Sequence, residues 1–269
     1  MIDAILLAII ASTPLLLAVE GEVIVQRSGM INLGIEGVML AGAMMSVLFG
    51  YGGGIAGAAI MAALFGLFAI VLRADQIVTG TAINFLALGL TGFLYREMQD
   101  RFSHPITHSS IDWIAIAAWT AIPIVLAFLL WRTRFGLRLR ACGENPEAVT
   151  AAGHSVALHR WTALGIEAIL AGLAGSHLAL VLSNGFAENM TAGRGFIALS
   201  IVIFGRWKIK GALLGTAVFG IAAAAQYALQ ASGHGLPFHL LLAIPYVVTL
   251  LILGGITGRV RAPEALGRS

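Results

Sequence analysis

The sequence predicts an all-α polytopic membrane protein, a single transmembrane domain over residues 1–269 with about eight or nine spanning or re-entrant helices. Three observations predict it. Apolar residues make up 59% of the chain, enough for about eight spans at ~20 residues each. Charged residues contribute only 11%, against ~25% in an ordinary soluble domain. The basic residues are also distributed unevenly among the loops. This composition excludes a soluble globular enzyme, a disordered chain and a disulfide scaffold, and the one cysteine, Cys142, has no intrachain partner. A net charge of +3 is too small an excess to point to nucleic acid.

Apolar runs near 2–19, 31–49, 55–72, 76–95, 111–131, 162–182, 191–205, 211–230 and 238–255 give the spans. The first follows Met1-Ile-Asp, which has no basic region, so a span is expected there rather than a cleaved signal. Residues 191–205 are short for a span and contain Arg194. With the preceding 184–191 stretch they are expected to form a broken or re-entrant element. The longest polar stretch inside the chain, 132–160, holds Arg132, Arg134, Arg138, Arg140 and Arg160. Lys and Arg collect in cytoplasmic loops, which places this loop inside. Alternating the spans outward from it then puts thirteen of the sixteen basic residues inside, leaving Arg96, Arg101 and Arg194 outside. The N-terminus falls outside and the C-terminus in the cytoplasm.

Polar groups within spans are costly unless paired or hydrated, so each marks a candidate pathway residue. Gly29, Gly34 and Gly37 bracket Asn32 and Glu36. Glycines weaken helix on either side, and a broken helix exposes backbone polar groups to a cavity. Asn32 and Glu36 would share one helical face. Glu36 either lines the pathway or acts as a cap or a partner of Arg27 near the inner interface. In the next polar span, Thr79 and Thr81 can bond back to their own helix, whereas Asn84 needs a neighbouring helix, water or substrate. Glu188, Asn189, Thr191 and Arg194 are expected at or just under the outer surface, as a solvated loop or a vestibule, with Phe186 or Phe196 suited to a ring-bearing solute. Glu167 is expected to pair with Arg160 or His159. The substrate pathway is therefore expected at Asn32, Glu36, Asn84, Glu188, Asn189 and Arg194.

The inner loop carries its own helix signal. Asn145 suits an N-cap and Pro146 the first helical position. Glu147 adds a first-turn carboxylate, favourable at the helix dipole, and Gly153 is a good terminator. A helix of about two turns is too short to be stable alone, so it needs a groove on another surface. Its small side chains argue against an interfacial lipid helix.

Taken in order, Arg27-Ser-Gly-Met-Ile-Asn-Leu-Gly-Ile-Glu-Gly-Val-Met39, Gln76-Ile-Val-Thr-Gly-Thr-Ala-Ile-Asn-Phe85, Phe135-Gly-Leu-Arg-Leu-Arg-Ala-Cys-Gly-Glu-Asn-Pro146 and Asn189-Met-Thr-Ala-Gly-Arg-Gly-Phe-Ile-Ala-Leu199 resemble the permease subunits of ATP-binding-cassette importers in the ribose, branched-chain amino acid and simple-sugar branch. The chain looks closest to the nucleoside permeases. The resemblance implies a bacterial inner-membrane protein that pairs with a second, similar permease, receives solute from an external binding protein and docks a cytoplasmic ATP-binding subunit. Docking would fall on the coupling residues Arg140, Gly143, Glu144, Asn145, Pro146, Glu147, Ala148, Ala151 and Gly153. No cofactor is implied. The residues themselves agree on one point: no Gly-x-x-x-x-Gly-Lys-[Ser/Thr] occurs, so the chain does not cradle ATP phosphates itself. An ion-coupled secondary transporter or channel is the alternative, with Glu36 and Glu167 as its expected buried acids. An intramembrane enzyme is disfavoured, since neither Gly-x-Ser-x-Gly nor His-Glu-x-x-His occurs.

Overall fold

The computed structural model describes residues 2–98, 113–231, 247 and 261–268. Among them the structure is all-α. Among the described residues, five segments are long and apolar enough to cross a membrane: Ala8–Arg27, Ile35–Val71, Gln76–Glu97, Trp113–Arg132 and Val156–Leu182. The predicted span at 238–255 lies outside the described residues, apart from residue 247.

Helix α1 (Ile2–Arg27) continues well past residue 19, where its apolar run ends. It stops where Gly29 takes a positive φ of 89°, a conformation that costs glycine little. Residues 29–34 are not helical, and α2 (Ile35–Gly66) follows, extended by a π-helical turn at Leu67–Val71. The break predicted between Gly29 and Gly34 is therefore present. Inside α2 the backbone leaves helical geometry at Phe49 and Gly50, where Gly50 has φ 66°. The chain doubles back there. A Cβ built on Gly53 would lie 2.6 Å from the Met45 carbonyl oxygen, and one on Gly57 would lie 2.8 Å from that of Ala41. The predicted runs 31–49 and 55–72 are thus two antiparallel arms of one hairpin.

Helix α3 (Gln76–Glu97) starts at an Asp75 cap that accepts from the Ile77 and Val78 amides. Helices α4 (Trp113–Trp119) and α5 (Ala121–Arg132) share one apolar stretch. Then come α6 (Arg134–Glu144), α7 (Pro146–Ala151) and α8 (Val156–His177), the last prolonged by a π-helical turn at Leu178–Leu182. An irregular segment leads to α9 (Arg194–Phe204), and α10 spans Ile209–Ala231.

Helix α8 is the hub. It packs into the α2 hairpin and against α1. Small residues permit the approach: a Cβ on Gly175 would sit 2.1 Å from the Met39 carbonyl oxygen, and one on Gly172 would sit 2.7 Å from the Ile55 Cα. With lipid outside, such backbone-level packing replaces the hydrophobic drive that a soluble core enjoys. The outward surface bears Phe85, Ile124, Leu214 and Val78, as a lipid-facing surface should.

Apart from the buried acids Glu20, Glu22, Glu36 and Glu167, many charged residues gather at two ends. At one, the Arg27 Nε donates to the Trp207 carbonyl at 2.7 Å, and Arg27 and Arg140 both lie over the Trp131 ring, 5.6 and 4.1 Å from its centroid. At the other, Arg96 meets Glu188. This is the grouping that the loop parity predicts for these residues.

Candidate functional site

The non-helical residues 29–34 sit in the middle of a polar cluster supplied by three helices, α1, α3 and α8, and by Trp207. Asn32 folds its own loop first, its Oδ1 accepting from the Gly34 amide at 2.9 Å, an Asx-type turn. From α1, Glu22 Oε1 accepts from the Asn32 amide at 3.3 Å and from Gln26 Nε2 at 2.9 Å. From α8, Glu167 Oε2 accepts from Asn32 Nδ2 at 2.7 Å. Gln26 Oε1 in turn accepts from the Trp207 indole at 2.5 Å. Glu22, Asn32 and Glu167 are all fully buried. The Glu22 and Glu167 carboxyls thus meet at Asn32, and each leaves its other oxygen buried without a hydrogen-bond partner.

Helix α3 holds the same loop from the other side. Gln76 Oε1 accepts from the Ile31 amide at 2.8 Å. Asn84 clamps the start of α2: its Oδ1 accepts from the Gly37 amide at 2.8 Å and its Nδ2 donates to the Leu33 carbonyl at 2.7 Å. Of the three outcomes open to Asn84, a neighbouring helix is the one realised. Thr81 bonds back to Ile77, as predicted.

Glu36 does not pair with Arg27. Its two oxygens accept from the amides of Gly193 at 2.7 Å and Gly195 at 2.6 Å. It caps, but the helix it caps is α9. The first turn of α9 has unsatisfied amides and a positive dipole end, and a carboxylate from α2 answers both. Because residue 32 is not helical, Asn32 and Glu36 do not share a face and turn to different partners. Glu167 bonds neither Arg160 nor His159.

The segment between α8 and α9 connects the Arg96–Glu188 end to this cluster. Glu188 receives two parallel bonds from Arg96, at 2.9 and 3.0 Å. These bonds hold its carboxyl below the usual carboxylate range. Phe186 is buried, its ring centroid 5.4 Å from that of Tyr95, whereas Phe196 is half exposed. Asn189 is exposed in a left-handed turn. Arg194 folds back on its own loop, donating to the Met190 and Thr191 carbonyls at 3.1 Å each. Its neighbours Gly193 and Gly195 bond Glu36 at the start of α2. The 191–205 element is broken, as expected.

Two acids escape a reading of the apolar runs. Glu20 and Glu22 lie inside α1 and are fully buried. The Glu22/Gln26 pair at i,i+4, next to the Asn32 break, is the signal that would have found the second.

At the opposite margin, α6 and α7 form the inner loop's helices. Asn145 caps α7 by accepting from the Ala148 amide at 3.0 Å, Pro146 is its first residue, and Gly153 takes φ 78° beyond its end. Val149 is buried, while Glu147, Ala148, Thr150 and Ala151 are exposed. Gly143 has no room for a side chain, since a Cβ would lie 2.4 Å from the Arg27 carbonyl oxygen. Arg140 donates to the Leu130 carbonyl at 3.1 Å. A cleft of about 860 Å³ runs beside α7, with Arg73, Glu144, Glu147, Arg160 and Glu264 among its lining.

A family model described as "Branched-chain amino acid transport system / permease component" matches residues 4–253. The chain is 35% identical to a nucleoside ABC transporter permease protein of Lactococcus lactis subsp. cremoris, over 96% of this chain and 93% of that one. It is 34% identical to a guanosine ABC transporter permease protein of Bacillus subtilis, again over 96% and 93%. A putative glucose ABC transporter permease protein of Haloferax volcanii is 34% identical over 82% of this chain and 75% of its own. No solved structure matches.

Proposed function

The chain belongs to the family of branched-chain amino acid transport system permease components, and from that premise we propose that it is the membrane-spanning subunit of an ATP-driven importer of nucleosides. The observation that carries the substrate is the likeness, over 96% of the chain, to permeases named for nucleoside and guanosine transport. In this reading the chain forms half of the translocation pathway beside a second permease. An external binding protein delivers solute, and a cytoplasmic ATP-binding subunit docks on α7. Helix α7 supports that docking: it is capped, anchored by Val149 and otherwise exposed beside a wide cleft. The end carrying Arg27, Arg140 and Arg268 faces the cytoplasm, and the Arg96–Glu188 end faces outward, in the bacterial inner membrane. Asn32, Glu36, Asn84, Glu188, Asn189 and Arg194 line or shape the pathway, with the loop at 29–34 and the start of α9 as its movable parts. A simple sugar is the second reading, favoured by the glucose-permease relative.

The test is uptake by the assembled transporter in proteoliposomes. Saturable, ATP-dependent accumulation of labelled guanosine is expected, with glucose and leucine left behind. Uptake that proceeds without ATP, or that prefers glucose, overturns the nucleoside-importer reading. Ala148→Asp on the exposed face of α7 should leave folding intact while separating ATP hydrolysis from uptake; unchanged transport in that variant removes α7 from the coupling route.

A further inference from the structure

Residues 261–268 touch four elements that are otherwise far apart in sequence. The Ala265 amide donates to the Gly143 carbonyl at the end of α6 at 2.9 Å, and the Gly267 amide donates to the Gly29 carbonyl in the helix break at 3.0 Å. The Arg268 carbonyl accepts from Arg160 of α8 at 2.9 Å and from Gln76 of α3 at 3.4 Å. Pro263 and Ala265 are buried, and Leu266 packs against the main core. Gly267 has φ 76° and lies against the Ile31 side chain, 3.6 Å from a built Cβ. The segment is no loose strand along the surface: its amides, its carbonyl and its apolar side chains are all used.

The partners define what such a segment does. Gly143 lies two residues before the α7 cap Asn145, and Gly29 opens the loop that carries Asn32. Gln76 binds the Arg268 carbonyl with its amide nitrogen and the Ile31 amide with its oxygen, so one side chain holds both the segment and the loop. Glu264, Ala265 and Arg268 also border the cleft beside α7. A displacement of α7 reaches the loop by direct contact, since Gly143 already sits against the Arg27 and Gly29 backbone. The segment closes a second path in parallel and prevents the two parts from sliding past each other.

We propose that residues 263–268 are a positioning brace that makes the α6–α7 coupling elements and the 29–34 helix break move as one body, so that ATP hydrolysis on a docked partner is converted into opening at Asn32. The proposal rests on the ATP-driven importer reading. Two substitutions remove its ties. Ala265→Pro deletes the amide that reaches Gly143, and Gly267→Ala disfavours the left-handed backbone that aims its amide at Gly29. Arg261→Ala, which removes only the exposed pair with Glu264, is the control.

Uptake and ATP hydrolysis are measured on the same proteoliposomes of the assembled complex, with co-purification of the ATP-binding subunit as the assembly readout. In each brace variant the number of solute molecules moved per ATP is expected to fall roughly tenfold, the factor set by losing one net hydrogen bond, while hydrolysis and assembly persist. Arg261→Ala keeps the parental ratio. A parental ratio in both brace variants overturns the brace. Failure of both to assemble also overturns it, in favour of a purely structural role. Absence of ATP-driven uptake in the parent overturns the functional reading instead, and is seen before any variant is compared.

Discussion

The carboxylate of Glu36 accepts from the Gly193 and Gly195 amides at 2.7 and 2.6 Å, binding the start of α9 to the first turn of α2. Two elements more than 150 residues apart in sequence are joined where the re-entrant segment reaches the helix break. Glu36→Gln retains one acceptor oxygen and turns an NH₂ toward the second amide. The expected cost is about 1–3 kcal/mol, the range for a charge-assisted bond or a lost cap, read as a lower melting temperature in detergent. Gly195→Ala should act similarly by sterics, because its Cβ would fall 2.6 Å from the Glu36 nitrogen.

Asn84 differs from its polar neighbour Thr81 in what its loss leaves behind. Asn84→Leu keeps the volume but orphans the Gly37 amide and the Leu33 carbonyl, at about 1–3 kcal/mol for each buried group. Thr81 bonds only its own helix and is exposed, so Thr81→Ala should change stability by less than about 0.5 kcal/mol. Equal melting temperatures for the two variants would remove the clamp role of Asn84.

What was legible in the sequence was what depends on neighbours in the chain. Asn145, Pro146 and Gly153 specify α7 within nine residues, so its cap and stop were readable. The Gly29 to Gly34 break was readable for the same reason, and loop charge parity grouped the basic residues because it needs only the order of spans. The extension of α1 was missed because Glu20, Glu22 and Gln26 dilute the apolar run, although burial against α8 more than compensates. The sequence points Glu167 to nearby Arg160 or His159, whereas its partner Asn32 arrives from the helix break, beside Glu22 of α1. Such pairings come from helix packing through Gly21, whose Cβ would lie 3.1 Å from the Glu167 Cα, and no local pattern encodes them.

Glu167 supports a sharper comparison. Its oxygen receives the Asn32 Nδ2 bond, and its carboxyl faces Glu22. Glu167→Gln can still accept from Asn32 through its amide oxygen, so near-parental stability is expected. Glu167→Leu leaves the buried Asn32 donor without that partner, at about 1–3 kcal/mol. Thermal unfolding of the two variants in parallel checks this. A Gln variant as weak as the Leu variant would mean that charge, not the hydrogen-bond pattern, organises the cluster.

Cys142 reports on α6. The residue is fully buried within α6, and burial pushes its thiol above the ordinary thiol range. A folded-state value above the unfolded one means that the native protein holds this proton more tightly. The contribution to stability is therefore complete below the unfolded value of about 8.5 and is lost as pH rises from there through the folded value. Melting temperature should fall more steeply above about pH 8.5 in the parent than in Cys142→Ala, with the two curves parallel at neutral pH. The same burial predicts maleimide labelling on the order of a hundredfold slower than in the unfolded chain, matching an opening free energy of about 3 kcal/mol. Ala265→Pro frees the Gly143 carbonyl next to Cys142 and should raise that labelling rate, whereas Arg261→Ala should not.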